Sequence, residues 1–192
     1  MTAHDVLIVW RRRLGLAAGF AFFVGCSAPR QPGQPVDLAG SIATAERRPA
    51  TEAFEPRIVP IDGQNRPAIA VPAVSRISWR LTLPDSARLH TWIAAESTCP
   101  SVPAPAVDFR VGISDERTYD ELLARTISAT PSAATWQSIA IDLSAYSGFH
   151  WSLFYRPREI AWWLVFNTRP IGGAAECAPR PLWGAPAIDV SR

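Results

Sequence analysis

The sequence contains no lysine, so all of its 19 basic residues are arginine. Histidine and cysteine are also scarce, with three residues of each. Arg11, Arg12 and Arg13 cluster near the start, and beyond residue 25 the acidic and basic residues balance. A neutral body offers no basic patch for a phosphate backbone, which argues against nucleic-acid binding.

Signatures of catalysis are missing as well. No Gly-x-Ser-x-Gly elbow, phosphate-binding loop or dinucleotide fingerprint occurs. Beyond the first 25 residues the histidines are His90 and His150, which lack the spacing of a metal site. The sequence therefore predicts a protein that is not an enzyme and holds neither cofactor nor metal.

Two pairs of neighbouring carboxylates are the one feature that favours catalysis. Asp115-Glu116 and Asp120-Glu121 could supply the two acids of a glycoside hydrolase. Both pairs lie among arginines, which favours a solvated strand or helix face. A small extracytoplasmic glycan-active enzyme stays as an alternative.

Residues 1–25 have the form of a secretory signal peptide, with three arginines ahead of the apolar run Leu14–Val24. That run is far shorter than the roughly 20 residues of a membrane-spanning helix. Phe23-Val24-Gly25-Cys26 resembles the lipobox of bacterial lipoproteins, although Phe23 replaces the usual aliphatic residue. The resemblance implies a lipidated Cys26 at the mature N-terminus, and Ser27 in place of an aspartate favours the outer membrane. An ordinary cleaved signal or a poor membrane anchor are the alternatives.

The rest of the chain divides into two parts. Residues 26–52 are rich in proline, glycine and alanine and predict an extended, disordered tether. Residues 53–192 should form one domain. In an oxidising compartment Cys99 and Cys177 would form a disulfide, two free thiols being the alternative.

Polar and apolar residues alternate strictly within this domain. The segments 76–83, 107–114 and 139–143 have the two-residue period of strands with one buried face. Trp162–Phe166 is apolar on both faces and predicts a central strand. These short strands between turns indicate an all-β, antiparallel sandwich. Residues 115–127 fit either a short helix or a strand over Leu122–Ile127, and the strand is slightly favoured.

Three motifs together resemble the galactose-binding-like jelly-roll domains attached to bacterial sulfatases, glycosyltransferases and glycoside hydrolases. They are Trp136–Gly148, Phe166-Asn167-Thr168 and Trp183–Ile188. The resemblance implies a non-catalytic carbohydrate-binding β-sandwich, with Trp136 and Trp183 closing its ends. The chain departs from the pattern in an insertion over Phe149–Glu159.

Exposed aromatic residues beside polar partners would be the ligand-binding residues of such a domain. The alternation within the strands buries Trp79 and Trp162. Trp92 and Trp163 occupy the opposite face of their strands and would meet the solvent or a second packed layer, with burial as the favoured alternative. The insertion packs as an extra edge strand or meets a ligand. His90 should lie on a strand surface, and Arg76, Arg80 and Arg110 should pair across strands with acids such as Asp108. The candidate ligand-binding residues are Trp92, Trp151, Tyr155, Arg158 and Trp163.

The sequence thus predicts a lipid-anchored envelope protein with a non-catalytic carbohydrate-binding or assembly module. Its partners would be the membrane, through the lipid, and a polysaccharide or an envelope protein. The alternative is an accessory subunit that binds a protein of a polysaccharide or secretion machine.

Overall fold

A computed structural model describes residues 35–97, 105–129, 135–147, 161–172 and 177–190, all within the compact unit Gln31–Arg192. These residues form eleven β-strands and two short 3₁₀ turns, Ile42–Thr44 and Ser144–Tyr146. The strands are β1 Val36–Asp37, β2 Glu46–Arg48, β3 Glu55–Ile61, β4 Gln64–Ala70, β5 Ser75–Thr82, β6 Ala87–Glu96, β7 Ala106–Ser114, β8 Tyr119–Ser128, β9 Gln137–Asp142, β10 Ala161–Ile171 and β11 Arg180–Val190.

The strands pair into two sheets, and every pairing is antiparallel. The six-stranded sheet has the order β3-β4-β11-β6-β9, with β1 added beside β11. The five-stranded sheet has the order β2-β5-β10-β7-β8. The all-β antiparallel sandwich that the alternation predicts is therefore confirmed.

Aromatic side chains join the two sheets at the centre of the core. The ring of Trp183, on β11, lies 4.4 Å from that of Phe166 and 5.0 Å from that of Phe109, measured between centroids. Trp79 extends the cluster with an edge contact to Phe166 at 5.1 Å. Trp162 is partly buried against the same core. The core positions predicted for Trp79 and Trp162 are confirmed.

The segment expected to be a tether is part of the domain from residue 36 onward. β1 pairs with β11, and β2 pairs with β5. Leu38 is fully buried in the core and its backbone N–H donates to the carbonyl of Pro186 at 3.0 Å. The expectation of a tether over 26–52 is therefore wrong for residues 36–48. Three separated apolar residues (Val36, Leu38 and Ile42) bury this segment although its composition is loop-like.

The ambiguous segment 115–127 is a turn followed by strand β8. The Asp115 carboxylate accepts hydrogen bonds from the backbone N–H groups of Arg117 and Thr118 at 3.0 and 2.8 Å. These bonds, chiefly that from the Thr118 backbone, lower the pKa of Asp115 because they stabilise its charged form. The strand interpretation is correct, and it begins earlier than expected, at Tyr119.

Replacing Leu38 by alanine tests whether the N-terminal segment belongs to the folded domain. The Leu38→Ala variant should lose about 2–5 kcal/mol of unfolding free energy, as do other buried leucines. Val74→Ala is the control, since Val74 is 63% exposed and should change by about 0.5 kcal/mol or less. Denaturant unfolding measures both, and equal stability of the two variants would contradict the role of Leu38.

Candidate functional site

A groove crosses the outer face of the five-stranded sheet. On β10 the inner face carries Phe166, and the next residue, Asn167, faces outward. The register places Arg76 of β5 and Arg110 of β7 on either side of Asn167. Directly opposed residues share a face in an antiparallel sheet, so these three side chains form one row across the groove.

The groove has a volume of about 990 Å³. Polar side chains from several strands line most of it. The lining residues are Arg48, Pro49, Glu52, Val74, Ser75, Arg76, Arg110, Ser114, Tyr119, Glu121, Asn167, Thr168 and Arg169.

The hydroxyl end of the Tyr119 ring lies against Gly112. A Cβ atom at Gly112 would come within 2.2 Å of the tyrosine hydroxyl oxygen, so no other residue fits beneath the ring. The register between β7 and β8 also shifts between Val111 and Gly112, as a β-bulge does. The Asn167 side chain lies near the Tyr119 hydroxyl and acts to lower the pKa of Tyr119. Tyr119 is 47% exposed and offers part of its ring to the solvent.

The pKa of Tyr119 is raised above its ordinary value, chiefly because burial disfavours the charged phenolate. The nearby charge of Glu121 acts in the same direction, whereas Arg76 and Arg110 oppose it. At neutral pH the side chain is therefore an uncharged aromatic surface with a hydroxyl that can both donate and accept.

One wall of the groove is a network of charges around Asp108. The Asp108 side chain is only 6% exposed and accepts from Arg110 Nε at 2.8 Å. Arg110 Nη1 also donates to Glu121 at 2.8 Å, and Arg169 lies 3.5 Å from Asp108. The hydrogen bond to Asp108 and then its charge raise the pKa of Arg110 further. Arg110 is therefore held in place by two carboxylates.

The ion pairs differ in part from the expected cross-strand pairs. Asp108 lies two residues from Arg110 on the same strand, and the cross-strand partner of Arg110 is Glu121 on β8. Arg80 lies 4.0 Å from Glu116, in the turn before β8. Arg76 donates to the hydroxyl of Ser78 at 3.2 Å. Among the described residues, Arg76 does not have the acidic cross-strand partner that the sequence predicts.

Trp163 lies on the same outer face as the groove. It is opposite Ser114, and Ser114 is in turn opposite Tyr119. The indole N–H of Trp163 donates to Glu116 at 3.1 Å, and the Arg80 guanidinium carbon lies 6.0 Å from the ring centroid. The outward orientation that parity predicts for Trp163 agrees with these contacts.

Trp92 lies on the outer face of the other sheet and does not join the groove. The Arg66 guanidinium carbon is 3.7 Å from the centroid of the Trp92 ring and 5.7 Å from that of Trp136. Gly184 leaves space for the side chains of Arg66, Trp92 and Trp136, because a Cβ atom at this position would lie within 3.1 Å of an atom of each side chain. One face of the Trp92 ring is therefore covered by an arginine, an arrangement that joins β4 to β6.

The remaining sequence candidates fall into two groups. Trp151, Tyr155 and Arg158, like Cys26 and Cys99, lie outside the described residues, and their roles stay predictions. His90 is half-exposed and 3.8 Å from Asp189, which agrees with a strand-surface position. The sequence pattern does not identify the groove residues Tyr119, Gly112 and Asn167. The one signal for them is Gly112 itself, a glycine at an outward-facing position of the alternating strand β7.

The four carboxylates of the enzymatic alternative have separate local partners. Asp115 accepts hydrogen bonds from its own turn, and Glu116 accepts from Trp163. Asp120 accepts from the Tyr146 hydroxyl at 3.2 Å, and Glu121 accepts from Arg110.

The described part of the chain has neither a cluster of metal ligands nor a membrane-spanning helix. Within it, no group of three or more histidine, cysteine or acidic side chains could hold a metal ion. None of its helices is long and apolar enough to cross a membrane.

Solved structures similar to this chain include β-sandwich modules that bind carbohydrate. The N-terminal cellulose-binding domain of β-1,4-glucanase C from Cellulomonas fimi is 12% identical, over 77% of this chain and 89% of that domain, with a TM-score of 0.41. The CBM22-1 xylan-binding domain of Xyn10C from Paenibacillus barcinonensis is 13% identical, over 85% of this chain and all of that domain, with a TM-score of 0.41. The K3 adhesin domain of Lys-gingipain from Porphyromonas gingivalis is 12% identical, over 82% of this chain and 98% of that domain, with a TM-score of 0.47.

No family model and no curated protein matches the chain. At these identities and TM-scores the structural likenesses carry no argument about function. The β-sandwich assignment rests on the strand order and register described above.

Adding a methyl group beneath Tyr119 tests the construction of the groove. In Gly112→Ala the new Cβ should push the ring into solvent, so the pKa of Tyr119 should fall back toward its ordinary value. Because the displaced atoms are the far end of an exposed side chain, the melting temperature should change by about 5 °C or less. Ultraviolet titration of the tyrosines measures the pKa, and Tyr119→Phe identifies which transition belongs to Tyr119. An unchanged Tyr119 transition in Gly112→Ala would contradict the contact.

Proposed function

We propose that this protein is a non-catalytic carbohydrate-binding module and that the groove over Tyr119 is its binding site. The observation that carries the proposal is the partly exposed ring of Tyr119, which lies against Gly112 in a groove that Asn167 and Glu121 also line. An aromatic surface bordered by hydrogen-bonding groups is the combination that a sugar ring requires.

The chemistry of a pyranose explains this match. One face of the ring presents C–H groups, which pack on an aromatic surface, while the hydroxyls at its edge both donate and accept. Around Tyr119, the Asn167 amide can do both, Glu121 accepts and Arg76 donates. Because Arg110 is already held by two carboxylates, this wall needs little reordering when a ligand binds.

The cellular setting is a further part of the proposal. The signal-like residues 1–25 and the lipobox-like Phe23–Cys26 support export and a lipid on Cys26, with the outer membrane as the site of anchoring. A module held there would meet polysaccharides of the envelope or of the surroundings. An accessory role beside a protein of a polysaccharide or secretion machine is compatible with the same groove.

The Cys99–Cys177 disulfide stays a prediction, and the strand register supports it. Arg180 of β11 is opposite Glu96 of β6. Cys177 precedes Arg180 by three residues and Cys99 follows Glu96 by three, so the same register, if continued, would bring the cysteines opposite each other. Opposed residues in antiparallel strands have Cα atoms about 4.5–5.5 Å apart, within the range of a disulfide.

Single and double cysteine variants test this pairing. Closing a loop of roughly 80 residues should stabilise the domain by about 4–5 kcal/mol in the chain-entropy model. Cys99→Ser, Cys177→Ser and the double variant should all lose the same amount, because each removes the same bond. Denaturant unfolding measures the losses. Additive losses, or two titratable thiols in the unfolded oxidised protein, would contradict the disulfide.

Carbohydrate binding is tested with the full-length protein in detergent. Affinity electrophoresis against a panel of neutral and acidic soluble polysaccharides identifies a ligand, and calorimetry measures its affinity. Tyr119→Ala should weaken binding about tenfold or more, because the stacking surface is lost, with little change in melting temperature.

The matched control is Trp92→Phe, which keeps an aromatic ring under Arg66 on the opposite sheet and should bind normally. Weaker binding by Trp92→Phe with normal binding by Tyr119→Ala would move the site to the other face. Retention by none of the polysaccharides would contradict the proposed function.

A further inference from the structure

Two arginines of the groove face each other on neighbouring strands. Arg48 on edge strand β2 is directly opposite Arg76 on β5, and both line the groove. Like charges in this arrangement destabilise a strand pair. The two opposed positive charges therefore require a nearby negative charge to offset their repulsion.

Among the described residues, neither arginine has a carboxylate partner. Arg76 donates to the neutral hydroxyl of Ser78, and no ion pair within 4.0 Å involves Arg48. Glu52 lines the same groove without an ion pair to either guanidinium. The other two arginines of the groove, Arg110 and Arg169, are instead paired with Asp108.

We propose that the groove selects acidic polysaccharides, with Arg48 and Arg76 binding an oxyanion of the sugar, a carboxylate or a sulfate. The guanidinium group suits this task because its planar set of N–H donors binds two oxygens of one anion at once. An anion between the two side chains also removes their mutual repulsion.

One residue connects the proposed oxyanion site, formed by Arg48 and Arg76, to the ring of Tyr119. Asn167 is directly opposite Arg76 and lies near the hydroxyl of Tyr119. The positive charge of Arg76 acts to lower the pKa of Tyr119, and both side chains line the groove. A sugar ring on Tyr119 therefore has Asn167 beside it and the two arginines beyond, which is the position for an acidic substituent.

This inference rests on the proposed carbohydrate-binding function, and pairs of probes with the same backbone separate the two. Polygalacturonate is compared with fully methyl-esterified polygalacturonate, and dextran sulfate with dextran, using the full-length protein in detergent. The charged member of at least one pair should bind at least tenfold more tightly. The preferred pair identifies the source of the oxyanion. Its affinity should fall as sodium chloride is raised, because salt screens exposed charges.

Charge-removing variants locate the effect. Arg48→Gln should weaken binding of the acidic probe about tenfold and leave any binding of its neutral partner unchanged. Arg76→Gln should weaken binding of the acidic probe by a larger factor than binding of its neutral partner. The controls are Arg47→Gln and Arg88→Gln, which remove equally exposed arginines that do not line the groove. Melting temperatures establish that all four variants are folded.

Each outcome bears on the proposal. Equal weakening by the control variants would show attraction to net charge alone and overturn it. Equal binding of charged and neutral probes, with Tyr119→Ala still defective, would overturn the acidic preference and leave carbohydrate binding standing. Failure of every probe would overturn both.

Discussion

The packing of Trp183 against Phe109 and Phe166 is the interaction on which the rest of the structure depends. It joins the two sheets at their centre, with one ring from β11 against one each from β7 and β10. In a strand, neighbouring residues point to opposite faces. Once these two phenylalanines are buried, Arg110 and Asn167 must face outward, so the core determines which residues line the groove.

Gly112 adds a second constraint, local to the groove. β8 has one extra residue, Leu122, opposite the step from Val111 to Gly112, and the absence of a side chain at Gly112 admits the ring of Tyr119. An exposed tyrosine is ordinarily free to adopt several rotamers. Here the hydroxyl end of the ring lies against Gly112 and near Asn167, and a side chain ordered by such contacts before binding lowers the entropic cost of placing a ligand on it.

The two outer faces of the sandwich differ in what their aromatic residues do. On the six-stranded sheet, Arg66 stacks on Trp92 and contributes to the packing of that face. On the five-stranded sheet, Tyr119 keeps nearly half its surface exposed beside a groove. Tryptophan content alone therefore does not locate a binding surface, and the availability of the ring face decides it.

The sequence predicts the parts of this architecture that depend on local alternation. The two-residue period identifies β5, β7 and β9, and parity orients Trp79, Trp162 and Trp163. The period is weak where proline and glycine dominate, so the pattern predicts a tether where β1 and β2 lie. Tyr119 lies in a run of mixed charges, which has no such period.

The sequence pattern does not locate the groove for a different reason. Its residues come from β2, β5, β7, β8 and β10, most of which are far apart in the chain. Only the register between these strands brings Arg48 to Arg76 and Tyr119 to Asn167.

Mapping the binding surface residue by residue tests the central claim, that the groove over Tyr119 holds carbohydrate. A short oligogalacturonate is titrated into the isotopically labelled full-length protein in detergent, and the backbone amide and indole shifts are followed by nuclear magnetic resonance. The account predicts that the largest shifts cluster at Gly112, Tyr119 and Asn167, while the indole of Trp92 stays unchanged. Shifts confined to the sheet that carries Trp92, or no shifts at saturating sugar, would contradict it.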